Sequence, residues 1–266
     1  MKILIKKLII IFTGITPDFL FIFLINFYCY FFKKKINFRK ADNYWVCYDK
    51  KIDENIFYLH KNRSFLYLNG IENRLNLLAT QYLIKDVEFT NNDVIVDCGA
   101  NIGEVGLYFK MFYPFVKYYS FEASKLEFQC LLKNLNNFGI NYNSALWNKQ
   151  DILKFYVSSK KADSSIIKPV NFSHEIEVNA ETLDSYKFKK IKFFKLEAEG
   201  AEPEILMGAI NSLRNIEIIS ADVGFERGVK LESTIKPVSE ILTKNNFYIE
   251  DIYINRLVLK FINNKF

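Results

Sequence analysis

Asp93-Val-Ile-Val-Asp-Cys-Gly-Ala-Asn-Ile-Gly-Glu-Val-Gly106 is the stretch on which the fold turns. Val94, Ile95 and Val96 form an unbroken apolar run, as a parallel strand covered on both faces requires, and Asp97 ends it. Gly99 and Gly103 let the backbone turn sharply and come close to a ligand with no Cβ in the way. A helix opening near Gly103 points its free N–H groups at that ligand. The expectation is a nucleotide-like cofactor at a strand-to-helix turn. The alternative is a turn whose glycines serve only the backbone.

The glycines fall at 99, 103 and 106, with Asn101 between the first two, which departs from the G-x-G-x-x-G spacing of dinucleotide sites. Asp97, just before the loop, would repel a pyrophosphate but can pair with a cationic amino acid. S-adenosylmethionine has no phosphate and carries an α-amino group and a sulfonium charge. An acidic strand end beside a glycine loop therefore suits it better than it suits NAD.

Downstream, strand and helix alternate, the signature of a doubly wound α/β sheet. A second strand, Lys117 to Phe121, ends in Glu122. An acid about 20 residues after the glycine loop is placed to hold ribose hydroxyls. Leu126 to Phe138 reads as the next helix and Tyr142 to Leu146, with Ala145, as a third strand whose end borders the adenine. Asp151 to Val157 and Glu175 to Val178 read as an inserted ribbon. Ile191 to Leu196 is another buried strand, and it delivers Glu197-Ala-Glu-Gly-Ala-Glu202 to the carboxyl edge, where active sites of open parallel sheets lie. Three carboxylates in six residues repel one another unless solvated or engaged, and a period of two puts Glu197 and Glu199 on one side. The bland alternative is a solvated cluster that favours the start of a helix.

Four stretches together resemble the FkbM-type methyltransferases: Val96-Asp-Cys-Gly-Ala-Asn-Ile-Gly103, Phe121-Glu-Ala123, Thr182-Leu-Asp184, and Phe194-Lys-Leu-Glu-Ala-Glu-Gly-Ala-Glu-Pro-Glu-Ile-Leu206. The resemblance runs from about Asn91 to Asn264. It implies a Rossmann-like class I methyltransferase fold with a mostly parallel seven-stranded sheet, closed by an antiparallel hairpin of Phe247 to Tyr253 and Arg256 to Ile262. It implies S-adenosylmethionine as cofactor, held by Asp97, Gly99, Ala100, Asn101, Gly103, Glu122, Ala123, Ala145 and Glu197. The reaction implied is O-methylation of a sugar, glycan or other natural-product hydroxyl, with Glu199 taking the hydroxyl proton. Glu197 stands where the family more often has Asp, and Ala198 where it more often has Val. Asp222 and Arg227 are substrate-side candidates. A divalent ion on Glu197, Glu199 and Asp222 would suit magnesium chemistry, but no ligand spacing demands a metal. A nucleotide-cofactor oxidoreductase and a non-catalytic membrane-associated scaffold are the competing readings.

The chain has 266 residues, with 26 Phe and 16 Tyr against 10 Gly. A net charge of +6 spread along it does not point to nucleic acid. Cys29, Cys47, Cys98 and Cys130 form no C-x-x-C pair, and His60 and His174 are the only histidines. Buried thiols in a reducing, cytoplasmic compartment are expected. The organisation is an apolar segment over 1–35, a β-rich lead-in with a helix over 36–90, and the methyltransferase domain over 91–266. In the lead-in, Tyr44 to Tyr48, Ile56 to Leu59 and Ser64 to Leu68 read as short strands and Ile71 to Ile84 as a helix. Pro17 and Asp18 divide the apolar run of 8–32 into Leu8 to Thr16 and Phe19 to Phe32, each shorter than the roughly 20 residues a spanning helix needs. Lys6, Lys7 and Lys33 to Lys35 flank it. Attachment to the inner face of a membrane and a helix pair packed on the domain are both open. No small-residue cleavage site follows, so a secretory signal is not expected.

Overall fold

Ile95 and Val96, neighbours in the central strand, face opposite layers of the molecule, and the sheet is built on that parity. The structure, a computed structural model, describes residues 16–158 and 164–266. Its main sheet has the order β14-β15-β11-β10-β4-β5-β6, with β4 Val94–Cys98, β5 Lys117–Phe121, β6 Ile140–Tyr142, β10 Ile191–Leu196, β11 Ile216–Asp222, β14 Phe247–Tyr253 and β15 Val258–Asn263. The five strands from β11 to β6 are parallel, and β15 runs against both β11 and β14. In register across the middle, Ile95, Phe193 and Ile218 point to one apolar layer, and Val96, Phe194 and Ile219 to the other. Strands buried on both faces have no need of alternation, which is why Val94 to Val96 reads as a continuous apolar run.

One layer holds α3 (Glu104–Phe112) and α4 (Lys125–Leu135) with the lead-in; the other holds α5 (Glu202–Met207), α6 (Ile210–Leu213) and α7 (Ile235–Lys244). β4 and β10 are adjacent in the sheet although far apart in sequence, so the winding reverses between them. That reversal opens a crevice at their carboxyl ends.

The lead-in is a three-stranded antiparallel sheet, β1 (Ile36–Ala41), β2 (Tyr44–Asp49) and β3 (Glu54–Tyr58), followed by a 3-10 turn over Lys61–Tyr67 and α2 (Ile71–Gln81). The strand expected over Ser64 to Leu68 is that turn: it buries Ser64 against the Tyr58 hydroxyl and Tyr67 against Glu104. The third strand expected over Tyr142 to Leu146 divides at Asn143, whose side-chain amide donates to the carbonyls of Glu122 and Ala123. β6 stays in the main sheet, while β7 (Ala145–Leu146) leaves to pair with β9 (His174–Glu181) beside β8 (Asp151–Val157), and β12 (Phe225–Arg227) pairs with β13 (Glu232–Ser233) as a separate ribbon. The first strand of the closing hairpin is Phe247 to Tyr253 as expected, while the second starts two residues later than expected, which leaves Arg256 in the turn.

Leu8 to Thr16 lies almost wholly outside the described residues. The second apolar run forms α1 (Asp18–Phe31), which buries Phe21, Ile25, Tyr28 and Cys29 in the lead-in core. Burying an aromatic or aliphatic side chain contributes about 1.5–3 kcal/mol, so this face holds the helix on the domain. All four cysteines are unpaired and buried.

Candidate active site

The crevice at the ends of β4, β5 and β10 is a cavity of about 240 Å³. Gly99 makes it possible: its φ is +71°, and a Cβ there would stand 2.0 Å from the carbonyl oxygen of Glu197. The Gly99 and Ala100 N–H groups both donate to the Phe121 carbonyl at 3.0 Å, which ties the loop to the neighbouring strand. Asn101, also left-handed at φ +51°, turns its N–H onto the Glu122 carboxylate at 2.7 Å.

Glu122 accepts a second backbone bond from Ser124 N–H at 2.8 Å. Burial opposes ionisation more strongly than these two bonds support it, and the carboxyl is pushed up to about 7. Two of the roughly four lone-pair positions of a carboxylate are taken, so vicinal hydroxyls in the cavity have acceptors waiting. Ala100, Ala123 and Ala145 line the same space, and their small side chains leave room for a flat ring.

Two expected cofactor residues do not reach the cavity lining. Asp97 is wholly buried beneath the loop, because the β10–β4 register sets it opposite Lys195. It takes the Tyr118 hydroxyl at 2.5 Å and the Lys195 ammonium at 3.0 Å. Gly103 is the left-handed cap of α3, where a Cβ would stand 3.2–3.3 Å from the Leu131 and Leu135 side chains, neither of which lines the cavity.

At the Glu197–Glu202 turn the three acids separate. Glu202 is buried and accepts from the N–H groups of Ala198 and Gly200 and from the Thr234 hydroxyl, so it shapes the turn. Glu197 and Glu199 both line the cavity. Glu197 is gripped by the Tyr82 hydroxyl, Lys195 at 3.0 Å and Arg256. Glu199 sits at φ +51°, a left-handed backbone that is uncommon for a residue with a Cβ, and its carbonyl accepts from Ser165 Oγ at 2.9 Å.

Asp222 is buried off the lining, 2.6 Å from Arg256 Nε. Arg227 forks onto Glu204 at 2.8 and 2.6 Å and bonds the Gly200 carbonyl, which locks the turn from behind. Among the described residues no group of three acids, histidines or cysteines is placed to hold a metal ion, and Glu197 and Asp222 are joined through Arg256.

The residues that sequence reading passed over are Tyr82, Lys195, Arg256, Arg63, Arg74 and Glu104, all of which line the cavity. Lys195 offered a signal, a lysine within a strand otherwise buried throughout its second half. The buried Glu104 carboxylate is worked against by desolvation, yet Arg74, Arg63 and the Tyr67 hydroxyl outweigh that and hold it down at about 2. Counted over the lining, six glutamates face four cationic side chains. That balance is poor for a pyrophosphate and good for a phosphate-free nucleoside bearing an ammonium and a sulfonium.

The solved structure of methyltransferase FkbM from Methylobacillus flagellatus KT is 14% identical, with a TM-score of 0.49 over 73% of this chain and 51% of that one. The M. capricolum TrmK structure, in complex with S-adenosyl-homocysteine, is 15% identical, with a TM-score of 0.37 over 72% and 68%. Methyltransferase 1 of Beauveria bassiana (strain ARSEF 2860) is 26% identical over 148 residues, which cover 45% of this chain and 59% of that protein. The methyltransferase FkbM domain family matches residues 97–247, more than half of the chain, from the buried Asp97 through the cavity-forming turns to the start of the closing hairpin. The chain belongs to the FkbM methyltransferase family, and its cofactor is S-adenosylmethionine.

Proposed function

We propose that the chain methylates a hydroxyl oxygen of a sugar, glycan or other natural product. The observation that carries the reading is Glu199: a carboxylate held in a strained backbone at the carboxyl edge, in the same cavity as the glycine loop. The bound cofactor supplies a methyl carbon made electrophilic by its sulfonium. The chain's own task is alignment and exclusion of water, the usual large term when two reactants must meet in line.

Gly99 to Asn101 present backbone to the nucleoside, Glu122 accepts from its ribose hydroxyls, and Ala123 and Ala145 border its base. Glu199 accepts the hydroxyl proton as the oxygen becomes a nucleophile, a step that needs the carboxylate within hydrogen-bond reach of that oxygen. Glu197, held by three donors, is poorly placed to take a proton and instead fixes the turn on which Glu199 is carried.

Incubation with methyl-labelled cofactor and a panel of free and nucleotide-linked sugars should give a methyl ether that resists mild base. Label found only on nitrogen or carbon would overturn the O-methylation reading.

We also infer contact with an anionic membrane surface through α1. Its second face exposes Phe19, Phe23, Phe27 and Phe31, with the Phe23–Phe27 and Phe27–Phe31 rings 6.2 and 6.4 Å apart, and Lys33, Lys35 and Arg39 lie exposed just beyond. An apolar stripe beside basic side chains matches an interfacial helix on acidic lipid. No helix among the described residues is long and apolar enough to cross a membrane. The Phe23→Ser/Phe27→Ser variant should lose binding to vesicles containing phosphatidylserine and keep its melting temperature, because Phe21 and Ile25 still anchor the helix. Undiminished vesicle binding would refute the contact.

A further inference from the structure

At the end of the cavity built by the lead-in, two guanidiniums share one carboxylate. Arg63 Nη2 lies 2.5 Å from Glu104 Oε2, and Arg74 Nε lies 2.8 Å from Oε1 with its Nη2 3.3 Å from Oε2. Tyr67 donates to the same carboxylate at 2.9 Å. Glu127, the next acid along the lining, makes no ion pair with either arginine within 4 Å. The cluster therefore carries one positive charge more than it neutralises. Both arginine side chains are about seven-eighths buried, at 15% and 13% exposure.

Arg63 adds a further sign of an unfinished site. Its Nη1 donates to Asn101 Oδ1 at 3.2 Å, so it touches the glycine loop directly, while its buried Nε has no hydrogen-bond partner among the described residues. A buried charged donor without a partner is costly, and proteins rarely leave one unless something completes it. Toward the opposite wall Glu197 is met by both Lys195 and Arg256, each shared with a carboxyl that lies behind the lining, Asp97 and Asp222.

A zwitterionic amino-acid arm ends in a carboxylate that such a pair of buried guanidiniums can take. We propose that Arg63 and Arg74 form the seat for the α-carboxylate of the cofactor's amino-acid arm, with Glu104 keeping both guanidiniums aimed. The inference rests on the cofactor assignment and goes beyond it by naming the residues that fix the arm's direction. Arginine suits the role because its planar fork meets a carboxylate with two donors. The two residues come from the lead-in, outside the segment matched by the family, so this part of the chain completes the cofactor site instead of merely covering it.

The test compares two ligands that differ only in the arm. S-adenosylhomocysteine carries it, and 5′-methylthioadenosine replaces it with a methyl group. Calorimetry on the full chain should show Arg63→Gln weakening S-adenosylhomocysteine by roughly 10- to 100-fold, the size of one charge-assisted pair, while methylthioadenosine affinity holds. Arg63→Lys keeps the charge and loses the fork, so it should fall between wild type and Arg63→Gln; it also serves where a neutral residue beside Glu104 prevents folding. Equal weakening of both ligands, or unchanged S-adenosylhomocysteine binding, overturns the seat. Unchanged binding is also the result if the arginines serve an anionic group on the acceptor. Failure of the wild-type chain to bind either ligand would overturn the cofactor assignment itself, a result separable from the other two.

Discussion

Glu199→Gln is expected to lower turnover by roughly 10²- to 10⁴-fold, the range for loss of a general base, with cofactor affinity little changed. Glutamine keeps the size and the left-handed backbone of residue 199 and removes both charge and basicity. The donor side of the cavity is built by other residues: Gly99 is tied to the Phe121 carbonyl, and Asn101 and Ser124 to the Glu122 carboxylate, through bonds in which Glu199 has no part. Its own backbone is held independently, by Ser165 on its carbonyl and by Glu202 on the N–H of Gly200. The variant should therefore fold, and stability should change by less than about 1 kcal/mol. Near-normal turnover in folded Glu199→Gln enzyme would move the proton to another acceptor, with Glu226, which also lines the cavity, the next residue to replace.

The effect should appear in kcat and in kcat/KM together, because a base contributes in the transition state and not in the ground state. A rise in KM alone would make Glu199 a binding group for the acceptor. That outcome would keep the substrate side where it is placed here while removing the proton transfer.

What was legible in the sequence follows from where its information is local. The β4 strand is buried on both faces, so its apolar run needed no knowledge of partners; Glu197 and Glu199 do share the cavity, but through a turn that begins after Leu196 and holds Glu199 at φ +51°, not through the period of an extended strand. Asp97 shows the limit. Its position before a glycine turn reads as a ligand contact, yet the residue that decides its role is Lys195, supplied by a strand far along the chain through the Lys195↔Asp97 register. Arg256 is similar: it reaches Glu197 and Asp222 only because Val258 of β15 pairs with Asp222 of β11, which brings the preceding turn to the cavity mouth. Tyr82 arrives from the end of α2, and Arg63 from the 3-10 turn over Lys61–Tyr67, just ahead of the Ser64 to Leu68 stretch that reads as a strand. Their chemistry is visible in the sequence and their destination is not. The N-terminal segment was undecided between a membrane and the domain for a physical reason too: α1 is apolar on both sides, and only the folded lead-in shows which face is covered.

Lys195→Met should be among the most destabilising single substitutions in this chain, at about 3–5 kcal/mol, the cost of leaving a buried charge without its partner. Lys195 is only 2% exposed, and its ammonium serves four oxygens: the carbonyls of Cys98 at 3.1 Å and Gly99 at 2.7 Å, and the carboxylates of Asp97 and Glu197, each at 3.0 Å. Methionine has similar length and no donors. Glu197 would keep Tyr82 and Arg256, but Asp97 would retain only Tyr118, in a site with no access to water. At the scaling expected for a chain of this size, about 2–4 °C per kcal/mol, the melting temperature should fall by roughly 6–20 °C. The double variant Lys195→Met/Asp97→Asn removes the stranded charge and should recover part of the loss, since replacing a buried pair costs less than breaking one. The Gly99 carbonyl remains without its donor in both variants, so the glycine loop should bind cofactor more weakly even where stability returns. A single variant that melts within a degree of wild type would mean that water reaches Asp97, and the closed bottom of the cavity described here would be wrong.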